Sequence, residues 1–120
     1  VPTGPGLKSA DDIVTVRHYT STEYKKLIEQ SGILKGGKTW VTLPDQIPSG
    51  LGKGRIGQSI VEKRLGIEAG KGEWFIDIQV KRSTLREVPG YPRTSGGALQ
   101  WILGEDAPIA NSRFLPWFAW

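Results

Sequence analysis

The sequence predicts an α+β protein: a mainly antiparallel, strongly bent sheet core with two or three short helices laid on it. Three observations carry this reading. A two-residue alternation runs from Glu73 to Arg82, with Trp74, Ile76, Ile78 and Val80 on one side and Phe75, Asp77, Gln79 and Lys81 on the other, the signature of a strand. Apolar residues recur at helical spacing after Ser21, where Tyr24, Leu27 and Ile28 share a face and Lys25, Lys26, Glu29 and Gln30 take the other. The helical signals come early and most strand signals late, an order that favours segregated layers over alternating βαβ units.

Taken in order, Ile13, Val14 and Val16 are β-branched, follow Asp11-Asp12 and predict a short strand running into His18 and Tyr19. Thr20, with Glu23 three residues on, has the form of a capping box, so a helix is expected from about Ser21 to a left-handed cap at Gly32. Lys35-Gly36-Gly37-Lys38 reads as a turn, and Thr39 to Leu43 as a strand closed by Pro44. The Gly-, Pro- and Ser-rich stretch from Asp45 to Gly57 reads as a long loop, expected to be mobile and to close over a ligand. Its Gly50-Leu51-Gly52-Lys53-Gly54-Arg55 lacks the full nucleotide-binding pattern, so a phosphate contact there is the lesser reading. Ile56, Ile60, Val61 and Leu65 predict a second short helix, weakened by Gly57 and stopped at Gly66. Beyond the Glu73 to Arg82 strand, glycines and prolines punctuate residues 89 to 97 and Ala98 to Leu103 reads as another strand. The apolar close from Arg113 to Trp120 is expected to pack as a strand or against the core.

With 120 residues the chain has room for one core and one site. Residues 1–12 read as a linker from a larger carrier, and residues 13–120 as a single domain. The linker reading rests on Val1-Pro2-Thr3-Gly4-Pro5-Gly6 and on the absence of methionine, which together point to a piece of a longer protein. The absence of cysteine excludes disulfides and thiolate chemistry, and a single histidine argues against a His-based zinc site, so no metal is expected. Apolar runs are too short to span a bilayer and no membrane partner is expected. A net charge of +4 admits an anionic ligand, pyrophosphate or nucleic acid, but the lysines and arginines are spread along the chain and mostly read as solvated surface.

The one histidine, His18, stands in Arg17-His18-Tyr19-Thr20-Ser21, at the seam between a predicted strand and a predicted helix, where a site is readily built. Taken alone it is equally a buried histidine satisfied by backbone. The order His-Tyr-Thr before a short helix, then Ser31-Gly32-Ile33-Leu34, then the aromatic-x-Thr strand Trp40-Val41-Thr42, resembles the N-terminal half of ADP-ribosyltransferase toxin domains. In particular it is similar to the His-Tyr-Asp class at the C-termini of bacterial polymorphic toxins such as Rhs and contact-dependent inhibition proteins. The resemblance covers residues 14 to about 43, and more loosely 73 to 103.

That resemblance implies a split-sheet ADP-ribosyltransferase fold and NAD as co-substrate. His18 would hydrogen-bond the ribose, since a neutral imidazole offers a diol one donor and one acceptor, with Arg17, Tyr19 and Thr20 shaping the same floor. Trp40 takes the place of the family's usual tyrosine, stacking on nicotinamide beside Thr42, because a tryptophan face holds a cationic ring best. The alternative for Trp40 is a strand tryptophan in the core. The third element is an acid that favours the oxocarbenium-like transition state as nicotinamide departs. Gly96-Gly97-Ala98-Leu99-Gln100-Trp101-Ile102 resembles the Gly-rich segment that carries it, and the position holds Gln100. An inactivating Glu-to-Gln change is one reading. Natural glutamine in a variant site, a different acid such as Asp77, Glu73 or Asp106, and an inactive binding module are the others.

The expected activity is transfer of ADP-ribose from NAD to a macromolecular acceptor, protein or RNA, in a target bacterium. It would be carried out by a monomer delivered from a carrier and restrained by a cognate immunity protein. NAD glycohydrolase activity is the near alternative. A basic nucleic-acid-binding or nuclease module is the alternative of another class, and would place lysines and arginines among exposed aromatics on one face.

Overall fold

The structure, a computed structural model, describes residues 12–120, so the linker expected over residues 1–12 lies outside the described residues except for Asp12. The chain is α+β. Two α-helices and three small sheets appear among the described residues, and every strand pairing is antiparallel.

The central sheet is β1 (Ile13–Thr20), β4 (Trp74–Lys81) and β8 (Leu115–Pro116), in the order β1-β4-β8. β1 and β4 pair along their full lengths, from Ile13 opposite Lys81 to Thr20 opposite Trp74. Their alternation gives the sheet two unlike faces. Val16, Ile76, Ile78 and Val80 point into the larger core, where Ile28 of helix α1 (Thr22–Ser31) packs against them. Tyr19 and Phe75 point the other way, into a smaller core closed by Val61 of helix α2 (Arg55–Leu65) and by Ile47. The larger core is completed by Leu34 of β2 (Ile33–Leu34), Val41 of β3 (Trp40–Val41), Leu103 of β6 (Trp101–Leu103) and Ala107 of β7 (Ala107–Pro108). Burying an aliphatic side chain of this size contributes about 1.5 to 3 kcal/mol.

β2 pairs with β7, while β3 and β5 (Leu85–Arg86) flank β6 in the order β3-β6-β5. That last sheet meets the central one at a single bridge. Arg17 N–H donates to the Thr42 carbonyl at 2.7 Å and Thr42 N–H donates to the Arg17 carbonyl at 2.9 Å.

Both helices end where a glycine was expected to end them. Gly32 (φ 74°) and Gly66 (φ 67°) adopt the left-handed conformation that a Cβ disfavours. The capping box between Thr20 and Glu23 does not form. The β1–β4 ladder extends through Thr20 opposite Trp74, so Thr20 is consumed as a buried strand residue, and Ser21 precedes the helix without a side-chain cap. Thr22 instead hydrogen-bonds the Glu73 carboxylate, and the Trp74 indole donates to both, to Thr22 Oγ1 at 2.9 Å and to Glu73 Oε1 at 3.0 Å.

Two further expectations are revised. The loop expected from Asp45 to Gly57 is shorter, because Pro44–Gln46 form a single 3-10 turn and α2 begins at Arg55, and it contacts the chain's last residues. Ile47 is buried, the Trp120 indole donates to the Ile47 carbonyl at 2.9 Å, Gly50 N–H donates to the Trp120 carbonyl at 2.9 Å, and the Trp117 indole donates to the Gly52 carbonyl at 3.2 Å. Gly57 belongs to α2, where its missing Cβ leaves room for the Gly52 carbonyl. The strand expected over Ala98 to Leu103 is reduced to Trp101–Leu103. The residues before it are bound elsewhere: Leu99 N–H donates to Gln46 Oε1 at 3.1 Å, and Gln100 N–H to the Pro92 carbonyl at 3.1 Å.

Candidate functional site

Beyond the Arg17–Thr42 bridge, β1 and β3 part, and a cleft of about 330 Å³ opens between them. His18 sits at the parting point. Its Nδ1 lies 2.8 Å from the Trp40 carbonyl, so the side chain takes the acceptor that a continued ladder would have used. A carbonyl can only accept, which makes Nδ1 the protonated nitrogen and leaves Nε2 with its lone pair. Nε2 has no partner among the described residues and is not sealed from solvent. Burial pushes the His18 pKa below its ordinary 6.5 against the opposing pull of the Trp40 carbonyl, and the ring is neutral near pH 7.

Six of the seven residues expected at a site, namely Arg17, His18, Tyr19, Trp40, Thr42 and Gln100, line this cleft. Trp40 is 40% exposed while its neighbour Val41 is buried, so alternation in β3 turns the indole toward solvent rather than into the core. Thr42 is buried and its hydroxyl donates to the Leu99 carbonyl at 2.6 Å, which fixes the segment delivering Gln100. Gln100 Nε2 donates to the carbonyls of Tyr91 at 3.1 Å and Arg93 at 3.2 Å, occupying both amide hydrogens and leaving Oε1 as the group with spare capacity.

The glycines before Gln100 have a packing reason. A Cβ on Gly96 would collide with the carbonyls of Lys63 and Arg64, and Gly97 has φ 92°. The segment is thereby seated on the C-terminal end of α2, where Arg64 Nη1 donates to the Gly96 carbonyl at 2.9 Å and Thr94 Oγ1 to the Arg64 carbonyl.

Arg17 lies beneath the cleft, and its side chain is wholly buried. Its Nε and Nη2 donate to the two Asp77 oxygens at 2.6 and 2.8 Å, Nη1 reaches the Tyr19 hydroxyl at 3.4 Å, and the guanidinium is stacked 3.9 Å from the Phe75 ring centre and 4.1 Å from that of Trp120. Burial opposes its charge, but Asp77 and Tyr19 hold its pKa above the ordinary value. Burial in turn raises the Tyr19 phenol, offset in part by Arg17. Tyr19 and Arg17 thus form a rigid floor.

Thr20 lies apart from this group. It lines a second cleft of about 530 Å³ that shares His18, Tyr19, Lys38 and Ile67 with the first and continues between β1 and α1. The three acids named as alternatives are elsewhere: Asp77 is bound to Arg17, Glu73 to Thr22 and Trp74, and the Asp106 carboxylate accepts the Gly36 N–H at 2.8 Å. No acidic residue lines either cleft. No group of three or more His, Cys, Asp or Glu is placed to hold a metal among the described residues.

Sequence reasoning passed over Lys38, which lines both clefts, and Thr94. Lys38 stood in a stretch read only as a turn, and no local pattern marks a turn residue as facing a cleft. No family model, no curated protein and no solved structure matches this chain.

Proposed function

We propose that the chain is an NAD-consuming ADP-ribosyltransferase domain of a bacterial toxin, delivered from a larger carrier into a target cell and acting on a macromolecule there. The observation that carries the reading is convergence. His18, Trp40 and Gln100 come from three separate stretches of sequence, each proposed for a different part of NAD, and they border one cleft at the parting of two strands.

The groups present suit the cosubstrate. His18 Nε2 is an acceptor for a ribose hydroxyl. The exposed Trp40 face suits the cationic nicotinamide ring. Lys38 supplies positive charge for pyrophosphate, and no acidic residue lines the cleft to repel it. In the reaction the bond from the ribose C1 to nicotinamide breaks and nicotinamide leaves with the bonding pair. The chain's part is to hold the ring, accept one ribose hydroxyl at His18 Nε2, since the Nδ1 hydrogen expected for the second is taken by the Trp40 carbonyl, and keep the floor fixed through Arg17 and Tyr19. Position 100 is where a carboxylate would favour the developing positive charge. With Gln100 there, NAD binding is the property to expect in full and turnover only weakly.

Calorimetric titration with NAD tests this, alongside nicotinamide release followed by NMR with and without bacterial lysate to separate transfer from hydrolysis. His18→Ala should weaken NAD binding by about 1 to 3 kcal/mol through loss of a partly buried hydrogen bond. A folded protein that does not bind NAD, or a folded His18→Ala variant that binds it equally well, overturns the assignment.

A further inference from the structure

The second cleft has a chemistry of its own. It runs between the end of β1, helix α1, the turn before β3 and the turn after α2, and it carries Lys35, Lys38 and Lys71 with no acidic residue in its lining. Its wall includes Tyr24 and Leu27 of α1, 51% and 57% exposed, so the helix turns apolar surface outward where the cleft opens. The Lys71 ammonium lies 4.9 Å from the centre of the Tyr24 ring, placing a cation directly beside a flat π face. At the far end of the joined clefts the exposed Trp40 offers a second such face, with Lys38 between them.

From this we infer that the acceptor is a single-stranded nucleic acid, with a nucleotide seated in the Tyr24–Lys35–Lys71 cleft. The inference rests on the NAD reading for the neighbouring cleft and names its acceptor. Lysines interleaved with exposed aromatics meet the two needs of a single strand, phosphate neutralisation and base stacking. A guanidinium or ammonium acceptor would enter a cleft that holds only like charge. An acidic peptide would satisfy the lysines and leave Tyr24 unused. In the transfer step a nucleotide oxygen or ring nitrogen bonds to the ribose C1 as the bond to nicotinamide breaks. The freed pair neutralises the pyridinium ring, nicotinamide leaves uncharged, and the nucleophile's proton passes to solvent.

The test measures binding and does not depend on turnover. A fluorescent single-stranded RNA oligonucleotide is titrated with the protein and followed by anisotropy at two salt concentrations, with a polyglutamate peptide as competitor. NAD affinity is measured in parallel. Binding should weaken steeply with salt. Lys35→Glu with Lys71→Glu should weaken it at least tenfold, and Tyr24→Ala about tenfold, while NAD affinity changes by less than twofold. Three results overturn the inference: no oligonucleotide binding by a folded protein that binds NAD; oligonucleotide binding untouched by Tyr24→Ala and displaced by polyglutamate, which assigns an acidic protein; and loss of NAD affinity in these variants, which gives the cleft to NAD itself. Failure of NAD to bind while the oligonucleotide behaves as expected leaves the cleft a nucleic-acid site and removes only its role as acceptor site.

Discussion

Arg17 and His18 are neighbours in one strand with opposite fates. On one face of the central sheet Arg17 is spent: its guanidinium is bonded to Asp77 and Tyr19 and stacked between Phe75 and Trp120. On the other, His18 uses one nitrogen on the Trp40 carbonyl and leaves the second open to a cleft. The difference separates frame from site. A polar group whose bonding capacity is exhausted inside the protein holds the fold, and one that keeps capacity in reserve at a cavity is available to a ligand. Gln100 combines the two, with its amide hydrogens committed to the 91–93 turn and its oxygen in reserve.

The strongest way to sharpen this contrast is at position 100. On the NAD reading proposed above, Gln100→Glu should raise nicotinamide release by about 10² to 10³-fold, the scale of a well-placed electrostatic group. The same carboxylate faces two carbonyls it cannot donate to, so the variant should also lose about 1 to 2 kcal/mol of stability in denaturant unfolding. A folded variant that binds NAD yet stays as inactive as the parent removes position 100 from the chemistry.

The frame is broken most directly at Asp77. Asp77→Ala leaves Arg17 buried without its carboxylate and should destabilise the protein by about 3 kcal/mol, the low end for such a pair because Asp77 itself is one-third exposed. A change under 1 kcal/mol by chemical denaturation would mean the stacking on Phe75 and Trp120 suffices for Arg17. Trp120→Ala removes one of those stacks and the indole bond to Ile47. It should cost about 1 to 2 kcal/mol and speed amide exchange across residues 47–52. Exchange that is already fast there in the parent would restore the mobile loop that composition alone suggested.

The smallest effect is a pH dependence from His18. Its pKa is lowered in the folded protein, so the unfolded chain takes up a proton more readily. Stability from this group is therefore complete above about pH 6.5 and is lost as pH falls from there through the lowered folded value. His18→Gln should flatten the melting temperature between pH 7 and 5.5, and an unchanged slope would place the titration elsewhere.

What could be read in the sequence was what repeats or terminates locally. The alternation in β4, the strand into His18, the amphipathic α1 and the glycines at 32 and 66 all leave a short-range trace, and with them the α+β class. The pairing of Arg17 with Asp77 across sixty positions leaves none, nor does the hold of the closing tryptophans on the loop after Pro44. The supposed capping box failed for the same reason: Thr20 obeyed a distant strand partner, Trp74, over a near helix. At the site, a lone histidine and an aromatic-x-Thr pattern marked His18 and Trp40, while Lys38 and Lys71 had no pattern to mark them.

The bridge between Arg17 and Thr42, the clasp of Thr42 on Leu99 and the ion pair to Asp77 also bear on when the cleft comes into being. The partners in the last two lie 57 and 60 positions apart, so each waits for a large loop to close. Folding that depends on such distant pairings is slow compared with helix formation, and α1 and α2 can fluctuate into shape long before the two strands part around His18. The cleft therefore requires both long loops to have closed. A chain in which Thr42 and Leu99, or Arg17 and Asp77, have not met carries no assembled site.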